Sequence, residues 1–372
     1  MKGCMNAWGM EQRMNDRSIE TADKRNAETD IIRRKREHIE ICLREDVEGW
    51  GEGTGFDRYR FRHLALPELD FAEIRLDGFF LGRGLKAPFF VSSMTGGTDE
   101  AGRINVRLAE AAQRRGWAMG LGSLRAAIEA PDSAASFQVR SVAPDVPLLA
   151  NLGAVQLNCG YGIDECRRAV DLTGADALVL HLNGMQEVFQ DGGNTDFRGL
   201  LRRISALCKE AEFPVGVKEV GMGIDGETVR TLAELGVSFV DVAGAGGTSW
   251  IKVEKYRTKD RLRRKAADAF EEWGNPTAEC VREAREAAPD TTLIASGGAA
   301  SGVDAAKALA LGADAVGFGR ALLAPALDSA EALDELFARI EFELRAAMFG
   351  IGAGSLSELR GTRRLVRREG NG

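Results

Sequence analysis

From Lys86 onward, short and almost wholly apolar runs alternate with stretches of helical periodicity, and that alternation restricts the fold of this chain more than any other feature. A strand buried on both faces reads as a continuous apolar run. Eight such runs follow one another: Ala87–Met94, Ala118–Gly122, Pro147–Gly153, Ala177–Asn183, Pro214–Val220, Phe239–Ala243, Thr292–Ser296 and Ala315–Phe318. Between them, Gly102–Arg115, Arg198–Glu212, Gly226–Leu235, Thr277–Ala288 and Ala305–Leu311 read as helices. Most connections have the length of a right-handed β-α-β crossover. About eight such units in series predict an α/β fold, a (β/α)8 TIM barrel with an N-terminal extension. The competing fold is a doubly wound open sheet, which wants G-x-G-x-x-G after its first strand. Met94-Thr-Gly-Gly97 stands there instead.

The rest of the chain is read around that barrel. Residues 1–30 are polar, lack an apolar signal core, and are expected to be a disordered extension. Residues 31–85 form a basic helix and an extended segment, 86–350 the barrel, and 351–372 a tail whose Arg363, Arg364, Arg367 and Arg368 make a solvated surface. The long insertion 248–275, at the end of the sixth strand, is a candidate lid. A formal charge of −7 excludes a global attraction for nucleic acid or an anionic membrane. No apolar run reaches the roughly 18–20 residues of a membrane span. The six cysteines form no C-x-x-C pair, as in a protein of a reducing cytoplasm.

Function is expected at the C-terminal ends of the strands. The fourth strand runs into His181-Leu-Asn-Gly-Met-Gln-Glu187, where an imidazole, two amides and a carboxylate gather within seven residues. His181 and Asn183, two apart, share a strand face. Other ends read Ser93-Met-Thr-Gly-Gly97, Ser123-Leu-Arg125, Asn151-Leu-Gly153, Lys218-Glu-Val-Gly221, Gly244-Ala-Gly-Gly-Thr248, Ser296-Gly-Gly298 and Gly319-Arg320. The last three suit a phosphate, since glycines let main-chain amides approach an anion. Lys218 sits in an apolar run, where a buried ammonium needs an anion or an electron-rich ring. It either pairs with Glu219 or Asp241, or faces a cofactor. Glu187 suits Mg²⁺, which takes few carboxylates and keeps its waters. Arg33-Arg-Lys-Arg36, before His38, is either a solvated helix face or an anion clamp.

Taken together, these motifs resemble the type 2 isopentenyl-diphosphate isomerases, flavin-dependent barrels. The likeness covers about residues 31 to 350 and is carried by Arg34-Lys-Arg-Glu-His38, Ala65–Asp70, Ser93–Gly97, His181-Leu-Asn183 with Gln186-Glu187, Val217–Gly221, Gly246-Gly-Thr248 and Ala295–Gly298. Leu124, Gly184-Met185 and Ala245 depart from the family pattern. The resemblance implies FMN, Mg²⁺, a reductant such as NADPH, and a homotetramer or homo-octamer. It assigns FMN contacts to Met94, Thr95, Gly96, Ser123, Asn151, Lys218, Thr248, Gly297 and Gly298, with Gly319 and Arg320 near its phosphate. It assigns the diphosphate substrate to Arg34, Lys35, His38, Arg125, His181, Asn183 and Gln186, and the metal to Glu187. Gln186 and His181 are the expected catalytic side chains.

The implied reaction converts isopentenyl diphosphate into dimethylallyl diphosphate by a 1,3-allylic proton shift. No carbonyl acidifies the reacting C–H bond, and Gln186 is a poor base, so the proton work falls to reduced FMN with no net redox change. The alternatives are a 2-hydroxy-acid oxidase on the same barrel, which needs a His base paired with Arg, a non-catalytic flavin-binding paralogue, and a relative acting on a larger prenyl substrate.

Overall fold

The protein is described here from a computed structural model covering residues 33–49, 51 and 53–368. The expected extension 1–30 lies outside those residues. The barrel strands are β1 (Phe89–Val91), β2 (Ala118–Gly120), β3 (Leu148–Gly153), β4 (Ala177–His181), β5 (Val215–Lys218), β6 (Phe239–Asp241), β7 (Thr292–Ala295) and β8 (Ala315–Phe318). They are parallel, each hydrogen-bonded to its sequence neighbours, and β8 pairs with β1 to close the ring. Register then aligns the strand ends. Gly153 pairs with His181, His181 with Lys218, and Lys218 with Asp241, so these residues stand in one row at the same level.

Apolar residues on both strand faces meet two cores. Outside the strands, Trp117 stacks on Phe337 at 3.9 Å and lies 4.7 Å from Phe89, within the layer between barrel and helices. Inside, Phe90, Leu149, Val179, Phe239 and Ile294 pack with Phe80 and Leu85. These last two come from a hairpin, Gly78–Phe80 paired with Arg83–Leu85, whose Phe80 ring lies 5.0 Å from Phe90 and 5.2 Å from Phe239. The hairpin plugs the N-terminal end of the barrel, so the opposite end is the open one.

Several elements differ from expectation for identifiable reasons. Most strands stop before their polar ends, which turn into the loops of the site. The first helix begins at Asp99, three residues before the expected Gly102, because Thr98 Oγ1 caps it by accepting from the Ala101 amide at 3.1 Å. Helix Ile163–Thr173 supplies a crossover not singled out in the sequence. The insertion 248–275 is not an open loop. It holds helices Trp250–Arg257 and Arg261–Ala267, with Ile251 and Val253 fully buried. The tail is not wholly solvated either, since Leu365–Arg367 pairs antiparallel with Tyr59–Phe61. No described helix is long and apolar enough to cross a membrane.

Candidate active site

A cavity of about 670 Å³ opens at the C-terminal ends of the strands, a size in the roughly 300–1,000 Å³ range of small-molecule sites. Met94, Thr95, Ser123, Asn151, Lys218, Thr248, Gly297, Gly298, Gly319 and Arg320 line it, and so do Arg34, Lys35, His38, Arg125, His181, Asn183, Gln186 and Glu187. Gly96 is the exception. It is not among the lining residues, and a β-carbon there would fall on the Phe137 ring, so this glycine serves packing.

One end of the cavity is main chain. Gly297 and Gly298 have φ of +102° and +81°, in the left-handed region that favours glycine. β-Carbons on them would fall on the carbonyls of Gly244 and Gly246, and one on Gly247 would lie 2.6 Å from the Gly298 amide nitrogen. The loops after β6 and β7 therefore pack backbone to backbone. Arg320 follows β8 and pairs with Glu48. Glu48 belongs to a strap that docks on the loop after β6. Gly49 N–H donates to Gly247 O at 2.9 Å, Ser249 N–H to Val47 O at 2.8 Å, and Lys252 Nζ to Glu48 O at 2.7 Å. The strap brings helix 33–44 to the cavity mouth, where Arg34, Lys35 and His38 face in.

The wall is polar and ordered. Asp241 accepts from Ser296 Oγ at 2.7 Å, and Lys218 Nζ donates to the Glu219 carbonyl rather than pairing with either neighbouring carboxylate. Glu219 Oε2 accepts the amides of Val220, Gly221 and Met222 at 2.5–2.7 Å, which shapes the loop after β5. Burial nonetheless pushes Glu219 up to about 7. Burial lowers Lys218, against the opposing pull of Asp241 and Glu219.

Across the cavity, Glu187 accepts from Asn183 Nδ2 at 2.8 Å, Gln190 Nε2 at 3.3 Å and Asn194 N–H at 2.6 Å. Lys35 is held down to about 8, first by burial, then by Arg34 and Arg125. His181 is held down to about 3 by burial and by Lys218 and Lys35. Neither Arg34 nor Lys35 has an ion-pair partner among the described residues. Partly buried cations crowded together, two of them without an ion pair, make a site for a polyanion.

Glu254 was not anticipated from the sequence. It is fully buried and accepts from His38 Nε2 at 3.0 Å, Gln186 Nε2 at 3.1 Å and Arg257 Nε at 2.7 Å. Burial opposes its charge, but these donors and the Arg257 guanidinium hold it at about 2. Trp250, one turn earlier, meets the His38 ring edge-on at 5.1 Å. Ser249, whose Oγ accepts from the Lys252 amide, could have signalled this helix; nothing local signals a buried carboxylate on it.

The fold is a (β/α)8 barrel with a small-molecule cavity at its open end, and the match of residues 175–367 to the FMN-dependent dehydrogenase family makes it a flavoprotein barrel. Solved barrels of the same fold include a mandelate oxidase variant carrying a monooxide FMN adduct (TM-score 0.60, 20% identity, 86% of this chain and 91% of that one). A flavocytochrome b2 variant with pyruvate bound is a second (TM-score 0.63, 19% identity, 88% and 82%). Sequence similarity is far higher elsewhere. The isopentenyl-diphosphate delta-isomerase of Oceanobacillus iheyensis is 53% identical over 338 residues, covering 91% of this chain and 97% of that protein. That of a Nostoc species is 49% identical over 334 residues, covering 90% and 95%. The chain belongs to the isopentenyl-diphosphate delta-isomerase family.

Proposed function

We propose that this protein isomerises isopentenyl diphosphate to dimethylallyl diphosphate, with reduced FMN, Mg²⁺ and no net redox change. The observation that carries this reading is the meeting, in one cavity, of a glycine cradle, unpaired basic side chains and an ordered carboxylate. The cradle fits FMN. Its glycines leave no room for side chains between the loops after β6 and β7, and Arg320 stands beside it for the phosphate. Met94, Thr95, Ser123, Asn151, Lys218 and Thr248 contact the flavin in this reading. Glu187 fits Mg²⁺ as a hard oxygen ligand. No group of three or more His, Cys, Asp or Glu able to hold a metal occurs among the described residues, so waters and the diphosphate complete the shell.

Reduced FMN supplies the acid–base group for exchanging protons with the alkene. The protein holds the ends. Arg34, Lys35, His38, Arg125, His181 and Asn183 grip the diphosphate, and this remote binding energy positions the alkene. Gln186 faces the reacting carbons, its amide turned by donation to Glu254 Oε1. Glu254, held ionised, has no proton to give. Helix 33–44 and Trp250 cover the mouth and exclude water.

The oxidase reading needs a free His base with an Arg beside it. Here His38 is bonded to Glu254, and the charged groups acting on His181 are Lys218 and Lys35, not an arginine. A non-catalytic paralogue has no use for the ordered Gln186 and Glu187. NADPH as flavin reductant, a homotetramer or homo-octamer, and a cytoplasmic location complete the proposal. The test is anaerobic incubation with FMN, Mg²⁺, excess NADPH and isopentenyl diphosphate. Dimethylallyl diphosphate forming only with reduced flavin, without NADPH consumed per turnover, is the expected result. Stoichiometric oxidation, or no product from reduced holoenzyme, would overturn it.

A further inference from the structure

His181 ends β4 in the row shared with Gly153, Lys218 and Asp241. Its ring is anchored on one side. Nδ1 lies 2.8 Å from Asn151 Oδ1, and Asn151 Nδ2 donates to the Leu121 carbonyl at 3.1 Å. The second bond decides the first. A carbonyl only accepts, so the amide NH2 faces Leu121 and the amide oxygen faces the ring. That oxygen also only accepts, so Nδ1 carries the hydrogen. In a neutral imidazole Nε2 is then a bare lone pair. Nε2 lies 3.3 Å from where a β-carbon on Gly153 would stand, and it has no hydrogen-bond partner among the described residues. Both His181 and Gly153 line the cavity.

A lone pair repels diphosphate oxygens. The charged groups acting on His181 are Lys218 from β5 and Lys35 from helix 33–44, and with burial they keep the free ring neutral. Lys35 in turn feels Arg34 and Arg125, and Lys218 feels Asp241 and Glu219. A diphosphate arriving among these cations reverses the field at Nε2.

We propose that Asn151 is a positioning residue that locks His181 in its Nδ1–H form, and that a diphosphate engages His181 only as Nε2 takes up a proton. The proton comes from solvent and becomes an N–H bond to a diphosphate oxygen; nothing is oxidised or reduced. Binding and protonation are thereby coupled. A prenyl alcohol lacks the charge to drive the uptake and forgoes this contact, which makes His181 a filter for diphosphates. The inference rests on the proposed reading of the cavity as a diphosphate site and adds the protonation state in which the site works.

The test is calorimetric titration of isopentenyl diphosphate into holoenzyme with oxidised FMN and Mg²⁺ at about neutral pH. Buffers of different ionisation enthalpy report the protons exchanged. Wild type is expected to take up about one proton more than His181→Gln, with its affinity falling up to roughly tenfold per pH unit more steeply. Lys35, held at about 8, contributes to both and cancels in the difference. Asn151→Asp sets a carboxylate against Nδ1, charges the ring beforehand, and brings uptake down to the His181→Gln level. The chain has three histidines, so solid-state ¹⁵N spectra of histidine-labelled wild type read the same event without a variant. One Nε2 resonance should move to the protonated range on adding isopentenyl diphosphate. Equal uptake in wild type and His181→Gln, or an unmoved Nε2 resonance with ligand bound, would overturn the inference alone. Failure of wild type to bind isopentenyl diphosphate would overturn the diphosphate reading beneath it as well.

Discussion

Replacing Glu254 with glutamine preserves its shape and removes its charge, and the surrounding donors leave the new amide no comfortable orientation. If the NH2 takes the Oε2 position it faces Arg257 Nε, now 2.7 Å from an acceptor. The guanidinium, 12% exposed, is then left with Glu37 at 3.8 Å as its remaining counter-ion. If the NH2 takes the Oε1 position it faces His38 and Gln186, 3.0 and 3.1 Å away. Neutral His38 adapts by offering the Nε2 lone pair. Gln186 adapts only by inverting its own amide, which turns its NH2 toward Asn183 Nδ2, a donor now 3.4 Å from Gln186 Oε1. One buried donor is left unsatisfied (about 1–3 kcal/mol) and a charge-assisted bond to Arg257 is weakened, for a total of about 2–4 kcal/mol. Urea denaturation of the holoenzyme measures that loss. Steady-state kinetics should show kcat for isopentenyl diphosphate falling further than KM rises, because Gln186, set at the reacting carbons in the proposed mechanism, has its amide turned by the substitution. The pH dependence has a definite sign. Glu254 is held at about 2 against an ordinary 4.5, so its stabilisation is complete above about pH 5 and is lost as pH falls from 4.5 toward 2. The gap between wild type and Glu254→Gln should therefore narrow on acidification. A variant within about 0.5 kcal/mol of wild type at neutral pH, with unchanged kcat, would refute this account of the hub.

Glu187→Gln removes the proposed metal ligand while keeping FMN, so the Mg²⁺ concentration for half-maximal turnover should rise about tenfold or more, as a loss of about 1.4 kcal/mol implies; an unchanged Mg²⁺ titration would remove Glu187 from the metal site. Gly298→Ala places a β-carbon on the Gly246 carbonyl at a φ of +81°. It should purify with little flavin and lose more than about 1 kcal/mol of stability, read from flavin absorbance and denaturation; full flavin content would argue against the cradle. Gly96→Ala should destabilise by about 1–3 kcal/mol through overpacking against Phe137. Phe137→Leu in the same chain should recover part of that loss, whereas a flavin contact at Gly96 would predict no rescue.

What could be read from the sequence, and what could not, follows from how a parallel barrel repeats. Neighbouring strands run in register, so a polar residue at the last position of one strand stands beside its counterpart a β-α unit away. His181, Lys218 and Asp241 share one row in this way, and Asn151, two residues before the register partner of His181, still reaches its ring across thirty residues of sequence. Apolar runs therefore locate the strands, and polar runs that end them locate the wall of the site. The same logic explains the errors at strand boundaries. Ser93 and Asn183 continue an extended run in the sequence but lie beyond the strand ends and line the cavity. No repeat ties the cover of the site to the barrel. Helix 33–44 precedes the first barrel strand, and Trp250–Arg257 lies in an insertion, so both approach from outside the strand periodicity. Arg34, Lys35 and His38 could still be picked out because basic residues cluster visibly. Glu254 could not, since what makes it tolerable in a dry interior is a set of donors 216, 68 and 3 residues away. A buried charge is legible only through its partners, and here two of the three are joined to it by the folded barrel alone. Covers that meet a barrel in this way can change without disturbing the strands beneath them. Differences in substrate among chains built on this cradle should therefore be sought first at His38, Trp250 and Glu254, not at the glycines. Exchanging residues 250–257 between two such chains should alter substrate preference and leave flavin affinity intact; a loss of flavin affinity would show that cover and cradle are one cooperative unit.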